Sequence, residues 1–297
     1  MSPTRAEFLA SAGALGVAQL TPTAPAAPAP GLMFVEHLTS APFPHASRAA
    51  GHTYQNTFYD AAAHYSDSSV GVFVPNGYVP RDDVDLIVHF HGWNNSVAGV
   101  FQRYKIAEQL AATNVNAILV VPQGPLNAPD SGDGKLELDE NGFARFVADV
   151  IASLRARGAI HTSRPGRIAL TAHSGGYGGL GGVLTRGGMN GRISDVILFD
   201  AAYGYFDAVA NWAKSAPHHR LLSLFTDDTS TGNAALMAML QGPAPNLYVR
   251  LASQMTLENM RVHAPTFVLT TGVAHDELLQ KFSWYGLFLQ TTALNRR

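Results

Sequence analysis

Short, continuously apolar runs alternate along the chain with longer segments whose apolar residues recur at helical spacing. The short runs cover residues 70–74, 84–91 (VDLIVHFH), 117–121, 167–172, 193–199, 221–225 and 267–270. Their β-branched content, and bounding turn residues such as Pro75-Asn76-Gly77, predict strands. Most lack polar alternation, which is the pattern of strands covered on both faces. Phe143, Phe146, Val147, Val150, Ile151 and Leu154 share one face of a helix, residues 97–112 and 277–294 predict two more, and 247–251 an extra strand. Strand and helix in alternation from residue 70 onward predict an α/β fold, a mostly parallel central sheet with helices on both faces. No repeat or linker interrupts residues 31–297, which read as a single domain.

The first thirty residues read differently. Arg5 precedes a weakly apolar stretch, residues 8–20, and a Thr/Pro/Ala run follows with Ala24-Pro25-Ala26 as a small-x-small cleavage point. This predicts a signal peptide and linker over residues 1–30, hence a secreted or periplasmic protein. The stretch is shorter than the roughly 20 residues a membrane span needs, so no membrane anchor is expected. Charged residues are only 14% of the chain, which suits a surface of Thr, Ser, Asn, Gln and Gly outside the cytosol. A net charge of −2 leaves no basic excess to displace counterions from a polynucleotide, so nucleic acid is not an expected partner. The absence of cysteine excludes disulfides, thiolate nucleophiles and Cys-ligated metals.

The candidate chemistry sits at strand ends. The strand 167–172 runs into His173-Ser174-Gly175-Gly176, and Ala172-x-Ser174-x-Gly176 has the small-x-Ser-x-Gly spacing of a nucleophile elbow. A sharp strand-to-helix turn of this kind holds the serine clear of the sheet and requires small neighbours. Two strands earlier, Phe90-His91-Gly92-Trp93 closes a strand, and near the C-terminus Gly272-Val273-Ala274-His275-Asp276 follows one. Carboxylates stand at two further strand ends, Asp200 after 193–199 and Asp227-Asp228 after 221–225.

In this order the chain resembles the α/β-hydrolase superfamily over roughly residues 70–295, and Val121-Pro122-Gln123-Gly124 with the His91-Gly92-Trp93 segment is similar to secreted esterases and polyhydroxyalkanoate depolymerase-like enzymes. It departs from both in carrying His173-Ser174-Gly175-Gly176 after the elbow's first small residue, where they usually have Ser-Ala-Gly. The resemblance implies a serine hydrolase without a cofactor. Ser174 is then the nucleophile, His275 the general base and acid, and Asp200 the orienting carboxylate, with Asp228 and Asp227 as alternatives. The backbone N–H groups of Trp93 and Gly175 form the oxyanion hole, and His91, Gly92 and Tyr177 line the substrate pocket. Trp93, Tyr203 and Tyr205 are further candidates for that lining, and loops 123–142 and 227–265 for shaping it. The expected substrate is a small or polymeric carboxylic ester, with amide hydrolysis the alternative.

Two readings from other classes compete. Gly176-x-Gly178-x-x-Gly181 matches a dinucleotide fingerprint, with Asp200 at the end of the next strand as a ribose ligand. His89 and His91 share one strand face and raise a metal site, although no third ligand is evident and His218-His219 reads as loop. A catalytically inactive binding protein on the same fold is the remaining alternative.

Overall fold

The computed structural model describes residues 30–240, 248–251, 256–261 and 265–297. The signal-peptide reading therefore falls, but for Pro30, outside the described residues.

The strands are β1 (Gly31–His37), β2 (His52–Tyr54), β3 (Thr57–Tyr59), β4 (Ser69–Pro75), β5 (Val84–Phe90), β6 (Ile118–Pro122), β7 (Pro165–His173), β8 (Ile193–Phe199), β9 (Arg220–Phe225), β10 (Tyr248–Leu251) and β11 (Thr266–Leu269). The helices are α1 (Ala61–His64), α2 (Val97–Tyr104), α3 (Ile106–Ala111), α4 (Gly134–Leu138), α5 (Gly142–Ala156), α6 (Tyr177–Arg186), α7 (Phe206–Ser215), α8 (Ser230–Leu240), α9 (Leu257–Met260) and α10 (Trp284–Leu289). Nine strands form one sheet in the order β1-β4-β6-β5-β7-β8-β9-β11-β10, while β2 and β3 make a separate hairpin. From β6 to β10 all pairs are parallel; β4 runs antiparallel to both β6 and β1.

Period-two side-chain alternation divides each central strand between two cores. Val84, Leu86, Val88 and Phe90 of β5 pack with α5, α6, α7 and α8, whereas Ile87 packs on the other face with α2, α3 and α10. Burial on both faces explains the unbroken apolar runs. The continuous helices expected over 97–112 and 277–294 are both interrupted. Lys105 takes a left-handed conformation (φ 54°) between α2 and α3, and Gln109 accounts for the break. Its amide donates to the carbonyls of Tyr104 and Leu279 and accepts from Gly286 N–H, so a buried tertiary contact replaces the helical ladder. After residue 274 the chain makes 3₁₀ turns, passes Phe282 and Ser283 at positive φ, and forms a true helix only over α10. β1 and the β2–β3 hairpin lie before residue 70, ahead of the first run whose pattern predicts a strand.

The parallel strands all end at one edge. The chain leaving β5, β7, β8 and β11 there carries Gly92 and Trp93, Ser174, Asp200 and His275 respectively.

Candidate active site

Ser174 sits in the turn between β7 and α6 with φ 54°, a conformation that costs a non-glycine residue about 1–2 kcal/mol. Close packing enforces it. A Cβ on Gly176 would lie 2.2 Å from the Phe90 carbonyl oxygen, and one on Gly92 2.7 Å from Ser174 Cβ. Strand β5 and its outgoing loop therefore press directly on the serine turn. The glycines of α6 have the same cause: Cβ atoms on Gly178, Gly181 and Gly182 would meet the Ser131 carbonyl oxygen at 1.9 Å, the Tyr205 ring at 2.1 Å and Glu137 Cα at 2.3 Å. This overturns the dinucleotide reading, because the space a pyrophosphate needs beside the fingerprint glycines is filled by residues 131–137 and Tyr205.

Asp200 follows β8, also at positive φ (48°), with no exposed surface. Its Oδ1 accepts from Thr226 N–H at 2.8 Å and Thr229 Oγ1 at 2.5 Å; its Oδ2 accepts from Thr226 Oγ1 at 2.5 Å and His275 Nδ1 at 2.9 Å. Burial pushes the carboxyl up, but the bonds from His275, Thr226 and Thr229 outweigh it and hold the group below the usual carboxylate range. For His275 the balance has the same form. Burial lowers the imidazole, and the Asp200 contact, helped by Asp276 and Asp228, raises it above its ordinary value.

The structure thus brings His275 to Asp200 and leaves Asp227 and Asp228 exposed on the turn capped by Thr226. Asp228 still approaches, for Asp200, Asp228 and His275 present ligand atoms within 4.8 Å of one another. Among the described residues this is the one such group. Both Asp200 oxygens are already engaged by two donors each, so this carboxylate has no lone pair to offer a cation.

A cavity of about 440 Å³ opens over Ser174 and His275, lined also by Gly92, Trp93, Asn94, Ser131, Gly175, Tyr177 and Tyr203, with Arg103 and Asp276 paired at 3.3 Å. That size accommodates a small organic ligand. Trp93 is held by its Nε1–H bond to Ser131 Oγ (2.7 Å) and edge-to-face contact with Tyr54.

Some expected neighbours stand elsewhere. His91 does not line the cavity. It is 7% exposed, donates from Nδ1 to the Gly92 carbonyl, and accepts at Nε2 from Gly124 N–H and the Gln123 amide. Burial keeps it neutral, and its role is to brace the loop that carries Trp93. His89, on β5, bonds Thr171 Oγ1 instead, so the two histidines do not converge on a metal. His219 stacks on Trp212 and bonds its carbonyl. Tyr205 donates to Glu137 and borders a different hollow, leaving only Tyr203 of that pair beside Ser174. Loop 123–142 contributes Ser131 alone to the cavity. No described residue of 227–265 lines it; Asp227 and Asp228 border an adjoining hollow.

Several residues around the site carried no sequence signal. Thr226 and Thr229 flank Asp227 and Asp228, yet it is they that, with His275, donate to Asp200. His173 was visible only as a spacer in the Ser174 motif, and its ring lies 4.9 Å from that of His275.

No protein-family model matches the chain, and no curated protein sequence matches it. Solved structures do. A serine-to-alanine variant of the feruloyl esterase module from Clostridium thermocellum, complexed with sinapinate, superposes with a TM-score of 0.56 at 12% identity over 91% of this chain and 92% of its own. A structure named FAE gives 0.54 at 13% identity, over 91% and 93%. The architecture is the α/β-hydrolase fold.

Proposed function

We propose that the chain is a serine hydrolase that cleaves carboxylic esters through an acyl-enzyme on Ser174. The observation that supports this most strongly is the 2.9 Å contact of His275 Nδ1 with a fully buried Asp200, beside a cavity that His275 shares with a serine strained at φ 54°. Donation from Nδ1 to the aspartate fixes the tautomer and leaves Nε2 as the basic atom. Ser174 Oγ attacks the ester carbonyl while His275 Nε2 takes its proton, and the resulting imidazolium is stabilised by Asp200. Collapse of the tetrahedral intermediate expels the alkoxide, protonated by His275; water then repeats the sequence to release the acid. The N–H groups of Trp93 and Gly175 are the proposed oxyanion donors. Contact of the Gly92 loop with Ser174 supports that assignment.

Trp93, Tyr104, Tyr177 and Tyr203 give the cavity an aromatic lining, which supports short or aromatic acyl groups over long aliphatic ones. The feruloyl esterase module complexed with sinapinate, an aromatic acid, has a similar fold. Turnover of p-nitrophenyl esters from acetate to palmitate, alongside methyl hydroxycinnamates, tests the reading. Activity on acetate and the hydroxycinnamates that vanishes at the longest chains is expected; no hydrolysis of any ester counts against it. Export is part of the proposal: material secreted by a bacterial host starts between residues 24 and 31 by intact mass, and a retained Met1 contradicts it. No helix among the described residues is long and apolar enough to cross a membrane.

A further inference from the structure

His275 lies on an exposed loop. Thr271, Gly272, Ala274, Asp276 and Glu277 around it are all open to solvent, and packing reaches the segment only through Val273 before it and Leu278 and Leu279 after it. Asp200 holds the ring at Nδ1, and within its own 3₁₀ turn the His275 carbonyl has only a long bond from Leu278 N–H, at 3.4 Å. A further restraint, from outside the turn, comes from the residue before the serine. His173 closes β7 in extended conformation (φ −117°, ψ 131°), is 2% exposed, and donates from Nε2 to the His275 carbonyl at 3.2 Å. Its ring also packs against that of His275, with centroids 4.9 Å apart and planes 30° from parallel, and meets Tyr104 edge-on at 5.4 Å on its other contact.

We infer that His173 is a positioning residue, which ties the backbone and ring of His275 to the strand end that holds Ser174, the next residue along the chain. The inference rests on the roles proposed above for Ser174 and His275. The hydrogen bond defines its chemistry. A carbonyl can only accept, so Nε2 carries the proton, and Nδ1, buried and without a partner among the described residues, presents a lone pair. A second proton would create a buried, unpaired N–H and set a cation against His275, which must itself become a cation during the reaction. The groups that face His173 are His275, Asp200 and Asp276, with His89 on β5. Burial first, and His275 second, push the His173 imidazole down to about 4, which keeps it neutral across the range in which His275 works.

The test compares His173→Phe, which keeps an aromatic ring but no donor, with His173→Gln, whose side-chain amide reaches about as far as Nε2. Both are made in the full-length protein and assayed on p-nitrophenyl acetate across pH. A misplacement of the base near 1 Å costs about 100-fold, so His173→Phe is expected to lose between about 10- and 100-fold in kcat. Its acid limb should also move down toward the ordinary imidazole value, because a wandering His275 loses the aspartate that raises it. His173→Gln should recover the limb and most of the rate. A purely structural role would lower the thermal midpoint without moving the limb. If His173→Phe shows no cooperative melt, His173→Met takes its place as the donorless variant. A donorless variant with parental kcat and limb overturns the inference, as does equal impairment of the donorless and Gln variants with the limb unmoved. An inactive parent with an unreactive Ser174 sinks the proposed function and this inference together, whereas an active parent with an indifferent His173 sinks this inference alone.

Discussion

A carboxylate with no exposure to water and four hydrogen-bond donors is a fixed negative charge, and the imidazole that touches it takes its orientation from it. Asp200 is in that state, and Asp228, a few ångströms away, is not. Asp200→Asn should therefore lower kcat by up to roughly 10⁴-fold, since the amide favours the wrong tautomer and cannot stabilise the imidazolium. Asp228→Asn should stay within about tenfold, because an exposed charge near His275 acts only at a distance. Steady-state kinetics beside thermal midpoints separates the two; a folded, nearly dead Asp228→Asn next to an active Asp200→Asn would move the acid one strand along. The strand-end places of Ser174, Asp200 and His275 were legible in the sequence because each stands beside a run that ends a strand. Thr226, Thr229 and His173 were not, since their significance lies in which atom they meet 26 residues or more away along the chain. His91 was misplaced for the same reason: strand position fixes where a residue sits, whereas its partners Gln123 and Gly124 belong to another strand's end.

The elements obey the strength of their local pattern. Central strands with every residue buried were readable as unbroken apolar runs, and α5, with seven buried residues, as a helical stripe. The segments 97–112 and 277–294 have no glycine or proline where they break; in the first, Gln109 answers to a tertiary contact that no local propensity records, while the second breaks at Phe282 and Ser283, both exposed and at positive φ. β1 escaped because Leu32, Met33 and Val35 are about half exposed on an edge strand that closely follows a proline-rich run. The glycine-rich α6 was legible as a feature and ambiguous in meaning until the residues opposite it were known. Gly178→Ala, which drives a methyl into the Ser131 carbonyl, should cost about 1–3 kcal/mol in denaturant unfolding and weaken activity through the Ser131–Trp93 bond. Gly191→Ala, with nothing within 4 Å, is the control and should be neutral to slightly stabilising. Equal stability of both variants would remove close packing as the reason for the α6 glycines.

Over the whole molecule, the site stands on a sheet whose two faces are closed by separate cores. His173, neutral in the folded state down to about pH 4, takes up a proton near pH 6.5 once unfolded. As pH falls below 6.5 the unfolded chain binds that proton first, so the stability held by the neutral ring is complete above 6.5 and is lost progressively toward pH 4. The span corresponds to about 3 kcal/mol. Asp133, pushed up to about 8 by burial and then by Glu137 and Asp130, works in the opposite direction over the same range, and comparison with a variant cancels it. Between pH 7 and 4.5 the parent should lose about 2 kcal/mol more unfolding free energy than His173→Phe; parallel losses would mean that His173 is not buried as described. Whether Ser174 is a nucleophile activated by His275 and Asp200 is tested most directly by treating the folded protein with a fluorophosphonate and mapping the adduct by peptide mass. One phosphonyl group per chain is expected, on Ser174, with labelling abolished in His275→Ala and absent from Ser174→Ala. A label on any other serine, or a folded protein that takes none, would contradict it.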